Sequence, residues 1–141
     1  MPVDKLLVKQ RLALISRYVG ELEELAKLPK ADFLDIRTAA SAESFLRRSL
    51  EAVFDIGRHI LAKSGGANMA LEYKGIAQGL ADKGIVSGRL KQQLMKMAGY
   101  RNRLVHLYHQ VSEEELYEII RNDLKDLKLF VEQVMEYLAR K

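Results

Sequence analysis

The 141-residue chain contains no cysteine, which excludes a disulfide framework, a thiolate metal site and a cysteine nucleophile together. Proline occurs only at positions 2 and 29, so the residue that most reliably breaks helices is missing from the last four-fifths of the chain. Long apolar runs are also lacking, and none approaches the length a bilayer demands. The opening segment is amphipathic and already carries Lys9 and Arg11, unlike the uncharged centre of a signal peptide. A cytoplasmic protein with no membrane contact is expected. The composition that remains, 48% hydrophobic and 30% charged, is that of an ordinary globule, and its length suits one domain spanning 1–141.

Apolar spacing predicts helices throughout. Val8, Leu12, Ile15, Val19, Leu22 and Ala26 recur at alternating steps of four and three, the stripe of an amphipathic helix over about 4–27 that Pro29 closes. Ala42, Leu46, Leu50, Val53, Gly57 and Leu61 mark a second helix, starting between Asp32 and Ser41 and ending before the turn at Gly65-Gly66. A short third helix fits 72–83, stopped by Gly84. Ser87 is a plausible N-cap for a fourth, running to about His109 or Gln110. Ser112-Glu113-Glu114-Glu115 spells a capping box, in which serine and glutamate satisfy each other's backbone N–H groups. It opens a fifth helix with a seam of Leu116, Ile120, Leu124, Leu127, Val131, Val134 and Leu138. An all-α bundle of about five helices is predicted, its two long terminal helices packed against the second and fourth.

Charge is unevenly placed. Between Lys83 and Ser112 lie six basic residues, Lys83, Arg89, Lys91, Lys96, Arg101 and Arg103, and no acidic one, while the other 17 basic residues face all 19 acidic ones. Such a segment suits a phosphate-bearing partner, or else forms a solvated helix face. The fourth helix also breaks its own pattern. Its stripe reads Leu90, Leu94, Met97, Arg101, Leu104, Tyr108, and beside it run Leu94, Ala98, Asn102, Val105 and His109. Arginine is almost never fully buried unless paired. Arg101 must therefore snorkel outward or line a cleft or subunit interface where an anion is gripped. His106 stands four residues past Asn102 and near the helix's C-terminal end, where the dipole favours positive charge. Five residues, about 7.5 Å of rise, separate it from Arg101. A two-fold dimer would bring two copies of each into one groove.

Residues 101–108 spell R-N-x-L-V-H-x-Y. This resembles the signature of the HepT-like branch of the HEPN superfamily, and Leu50 to Ile60, Gly84-Ile85-Val86 and the acidic, tyrosine-bearing start of the last helix resemble the same family. The resemblance implies a helical bundle that dimerises with the motif at the interface. It implies a toxin of a toxin–antitoxin pair, acting as a metal-independent endoribonuclease without a cofactor. Arg101 and His106 would be catalytic, the first holding the phosphate and the second moving protons, with Asn102 in support. Tyr108 could stack a base, and in this resemblance it is the acceptor for AMP from a partner nucleotidyltransferase antitoxin of the MntA kind. Lys96, Arg103 and His109 are candidate RNA contacts, His109 alternatively capping the helix end.

Two other readings compete. One is a non-catalytic HEPN module that binds a nucleotide or docks a nucleotidyltransferase. The other is a helical adaptor, which requires an internal carboxylate such as Glu51 or Asp55 to pair with Arg101. A metal pair formed by His106 and His109 lacks a third ligand within the segment. Tyr73, Tyr100 and Tyr117 read first as packing residues.

Overall fold

The stripes read from the sequence become the buried faces of helices in the computed structural model, which describes residues 2–63, 72–106 and 111–140. These residues form α1 (Lys5–Ala26), α2 (Lys30–Phe33), α3 (Ile36–Lys63), α4 (Tyr73–Asp82), α5 (Gly88–Val105), α6 (Glu113–Asn122) and α7 (Leu124–Ala139). No strand occurs among the described residues. Asp4 caps α1 by accepting the Leu7 N–H, and Val8, Leu12, Ile15, Val19 and Leu22 are all buried. They lie mainly along α3, with α7 and α6 completing the cover. In α3 every residue of the expected stripe, Ala42 to Leu61, is buried.

The expected count of about five helices is too low, because a single helical turn precedes the second helix and a break at Asp123 divides the C-terminal one. After Pro29 the chain makes the single turn of α2, which buries Phe33. The Asp35 carboxylate then accepts the Arg37 and Thr38 N–H groups at 3.2 and 3.3 Å and starts α3. The long C-terminal helix is interrupted at Asp123, with φ −108° and ψ −4°. Its seam survives the break, since Leu116, Ile120, Leu124, Leu127, Val134 and Leu138 are buried. An apolar period cannot reveal such a break when the same face stays buried on both sides. The Gly65-Gly66 turn lies outside the described residues.

Two contacts place the helices that matter for the site. The first is a close approach of α4 to α3 at Gly57, where a Cβ would fall 2.5 Å from Ile76 Cγ2 and 3.2 Å from Leu80 Cδ1. Only a residue without a side chain lets the two helices meet there. The second is the anchoring of α5 along its length. The Ser87 hydroxyl caps it by accepting the Leu90 N–H, and the Ser87 N–H donates to Gln133 Oε1 on α7 at 2.9 Å. Further along, the Tyr100 hydroxyl donates to Asp123 at 3.1 Å, with Lys96 3.5 Å from the same carboxylate. Gly84, at φ +71°, makes the left-handed turn that separates α4 from α5.

Replacing Gly57 by valine should lower the unfolding free energy by about 1–3 kcal/mol or more, read by chemical denaturation. A melting curve equal to wild type would show that α3 and α4 can part at no cost.

Candidate functional site

The site assembles where α5 ends. Arg101, in the last turn but one of α5, is half-buried, whereas Asn102 and His106 are exposed. The guanidinium does not snorkel free, and among the described residues it finds no acid. It lies over the ring of Tyr73, the first residue of α4, with Cζ 4.5 Å from the ring centroid. The ring's negative face attracts it there. Its Nε is buried and has no hydrogen-bond partner among the described residues. Glu51 stands near Arg47 at 3.7 Å and Asp55 near Arg58 at 3.5 Å, so neither supplies the carboxylate that the adaptor reading requires.

Tyr73 is more than the packing residue its sequence context suggests. Phe54 of α3 meets its ring edge-on, centroids 5.0 Å apart, and the Arg58 guanidinium lies 5.6 Å from the same ring. Sequence reasoning gave Arg58 no role. The only available signal was its place one residue past Gly57 on the face that α4 covers, which is recognisable once the α3–α4 contact is known. Tyr100 and Tyr117 are built into the fold: the Tyr117 hydroxyl donates to the Leu28 carbonyl at 2.6 Å.

The expected helix over 88–109 stops early. His106 is the C-cap of α5, with extended ψ of 123°, and its N–H closes the last turn onto the Asn102 carbonyl at 3.1 Å. Arg103, in this last turn, is bound to Glu115 in the first turn of α6 by two hydrogen bonds of 2.6 and 2.7 Å. That pair also alters the expected capping box. The Ser112 hydroxyl accepts the Glu115 N–H as expected, but the Glu115 carboxylate turns to Arg103. Tyr108 and His109 lie outside the described residues. Of the candidate RNA contacts, Lys96 is half-exposed beside Asp123, and Arg103 is held by Glu115. Among the described residues no three of His, Asp or Glu are grouped to hold a metal ion, and no helix is long and apolar enough to cross a membrane.

The family described as ribonuclease HepT-like matches residues 15–134. The chain belongs to that family. This HepT-like chain is similar to the tRNA nuclease HepT of Aphanizomenon flos-aquae (strain 2012/KM1/D3), with 27% identity over 137 residues covering 96% of this chain and 92% of the relative. Its fold is similar to that of a tri-AMPylated Shewanella oneidensis HEPN toxin solved in complex with MNT antitoxin. There the TM-score is 0.80 and the identity 22%, over 92% of this chain and 96% of that one. It is also similar to the cytosolic protein YutE of Bacillus subtilis, at a TM-score of 0.83 and 19% identity over 98% and 92% of the two chains. The HepT-like fold thus extends over nearly all of the molecule.

The Arg103–Glu115 pair has a pH signature. The Arg103 guanidinium holds the Glu115 carboxyl below its ordinary value of 4.5, so the pair stabilises the fold above that value and its contribution is lost as the pH falls through the lower, folded-state value. Both side chains are partly exposed, which keeps the effect small. Glu115→Gln should lower the melting temperature by about 2–4 °C at pH 7. The gap to wild type should close on acidification, and a gap that is constant with pH would refute the assignment.

Proposed function

We propose that the chain is a ribonuclease toxin that cleaves RNA without a metal ion, from a groove shared by the two subunits of a homodimer. The observation that carries this reading is Arg101. It is a half-buried guanidinium with no carboxylate partner among the described residues, fixed on an aromatic face at the end of α5 and one turn before an exposed His106. An arginine so placed is matched to an anion that no described residue provides. Family membership and the name of the Aphanizomenon relative favour RNA as that anion, with tRNA the first substrate to test.

In the proposed reaction the ribose 2′-hydroxyl attacks the adjacent phosphorus and the bond to the 5′-oxygen breaks, leaving a cyclic phosphate. One imidazole takes the hydroxyl proton and one imidazolium protonates the departing oxygen. Two His106 side chains, one from each subunit, divide these roles. Arg101 holds the phosphate and stabilises charge growing on its oxygens. Asn102, exposed and one turn before His106, orients the imidazole or contacts the ribose. Regulation follows from the motif's last residue: AMP added to Tyr108 by an MntA-like nucleotidyltransferase would bring bulk and negative charge to the groove, blocking RNA.

Purified protein should cleave tRNA in the presence of a chelator, and Arg101→Ala and His106→Ala should each lose at least about 100-fold in rate. Intact RNA with the wild type, or undiminished cleavage by His106→Ala, refutes the nuclease. Co-expression with a nucleotidyltransferase encoded beside it should add one or more AMP masses to the peptide containing Tyr108 and none to Tyr108→Phe. If the partner is active and the mass does not appear, the regulatory role falls while the nuclease stands.

A further inference from the structure

Two guanidinium groups from different helices share one aromatic ring. Arg101 of α5 and Arg58 of α3 have their Cζ atoms 4.5 and 5.6 Å from the Tyr73 centroid, so they lie no more than about 10 Å apart. Two positive charges thus gather at one ring, and Asp55, whose side chain is 59% exposed, lies 3.5 Å from Arg58. The Arg101 Nε–H is buried without an acceptor, a cost the fold bears without return from any described protein group. The Arg58 side chain is 43% exposed and remains open to solvent beside the ring. Two neighbouring cations, an unsatisfied donor and an accessible edge are together complementary to an anion with several acceptor oxygens.

We propose that Arg58 is a second phosphate-contacting residue beside Arg101, and that Tyr73 is the positioning residue that holds the Arg101 guanidinium in place. Resting on the ribonuclease reading above, this makes the site a two-arginine subsite, in which a single RNA strand engages neighbouring phosphates from both α3 and α5. Tyr73 acts through its ring face, which restricts the long Arg101 side chain to one pose. The hydroxyl is not needed for this. Phe54 fixes the ring in turn, by packing against its edge.

The test uses a fluorescent 2′-O-methyl oligoribonucleotide, which lacks the attacking hydroxyl and can be bound but not cut, titrated at several salt concentrations alongside tRNA cleavage. Arg58→Gln should weaken binding about three- to tenfold and flatten the slope of log K against log salt by about 0.7, the value for one single-strand phosphate contact. Arg58→Lys should recover much of the slope. Tyr73→Leu should cut the cleavage rate at least about tenfold, with a smaller effect on binding, and Tyr73→Phe should restore most of that loss. If Tyr73→Leu does not fold, Arg58→Gln, on a partly exposed side chain, decides alone. Cleavage by wild type with slope and rate unchanged in Arg58→Gln and Tyr73→Leu overturns the subsite and leaves the nuclease intact. An Arg58-dependent slope without any cleavage does the reverse, and no binding of the oligonucleotide at all overturns both.

Discussion

The missing side chain at Gly57 governs the geometry of everything around it. Phe54, Gly57 and Arg58 share one face of α3 at steps of three and four, and Tyr73 and Ile76 share one face of α4 at a step of three. Because Ile76 can settle onto the bare backbone at Gly57, the next turn back along α4 brings Tyr73 against Phe54 and Arg58. Filling that space would push α4 outward and move the ring from beneath the Arg101 guanidinium. A packing constraint in the core is thereby translated into the pose of a charged group at the surface.

Electrostatics on α5 follows a division of labour that the linear sequence conceals. The segment from Lys83 to Ser112 has no acid of its own, yet in the fold acids from the following elements meet it: Asp123 faces Lys96, and Glu115 binds Arg103. Those pairs tie α5 to α6 and to the junction before α7. Arg101 is exempt, with an aromatic face where its neighbours have carboxylates. Carboxylates in the flanking turns, and none at Arg101 among the described residues, make an arrangement in which the helix is held by some cations and presents another.

Most of the fold was legible in the sequence because a helix that buries one face must repeat apolar residues at its own period. The stripes of α1 and α3, the Ser87 and Ser112 caps and the Gly84 stop are all found where spacing and capping chemistry put them. The single turn of α2 and the break at Asp123 were not legible, since the first is too short to repeat a period and the second leaves the buried face continuous. The Arg103–Glu115 pair also escaped, because the two residues are twelve apart and nothing in a helical period announces that they will meet. At the site, Arg101 was visible as a polar residue in an apolar stripe and His106 as its motif partner. Tyr73 and Arg58 were not, because an aromatic at the start of a short helix and an arginine on a long one look like ordinary packing and ordinary solvation. Only the approach of α4 to α3 turns them into neighbours of Arg101.

Asp123 has one further implication. Its carboxylate receives the Tyr100 hydroxyl, neutralises Lys96 and sits at the point where the final helix changes course. The change of course before the last helix and part of the seating of the motif-bearing one thus meet at a single acidic group, so a change to it is felt on both. Relatives that lose the acid at this position are expected to have exchanged the residues at 96 and 100 as well, making the three positions a co-inherited unit rather than three independent choices.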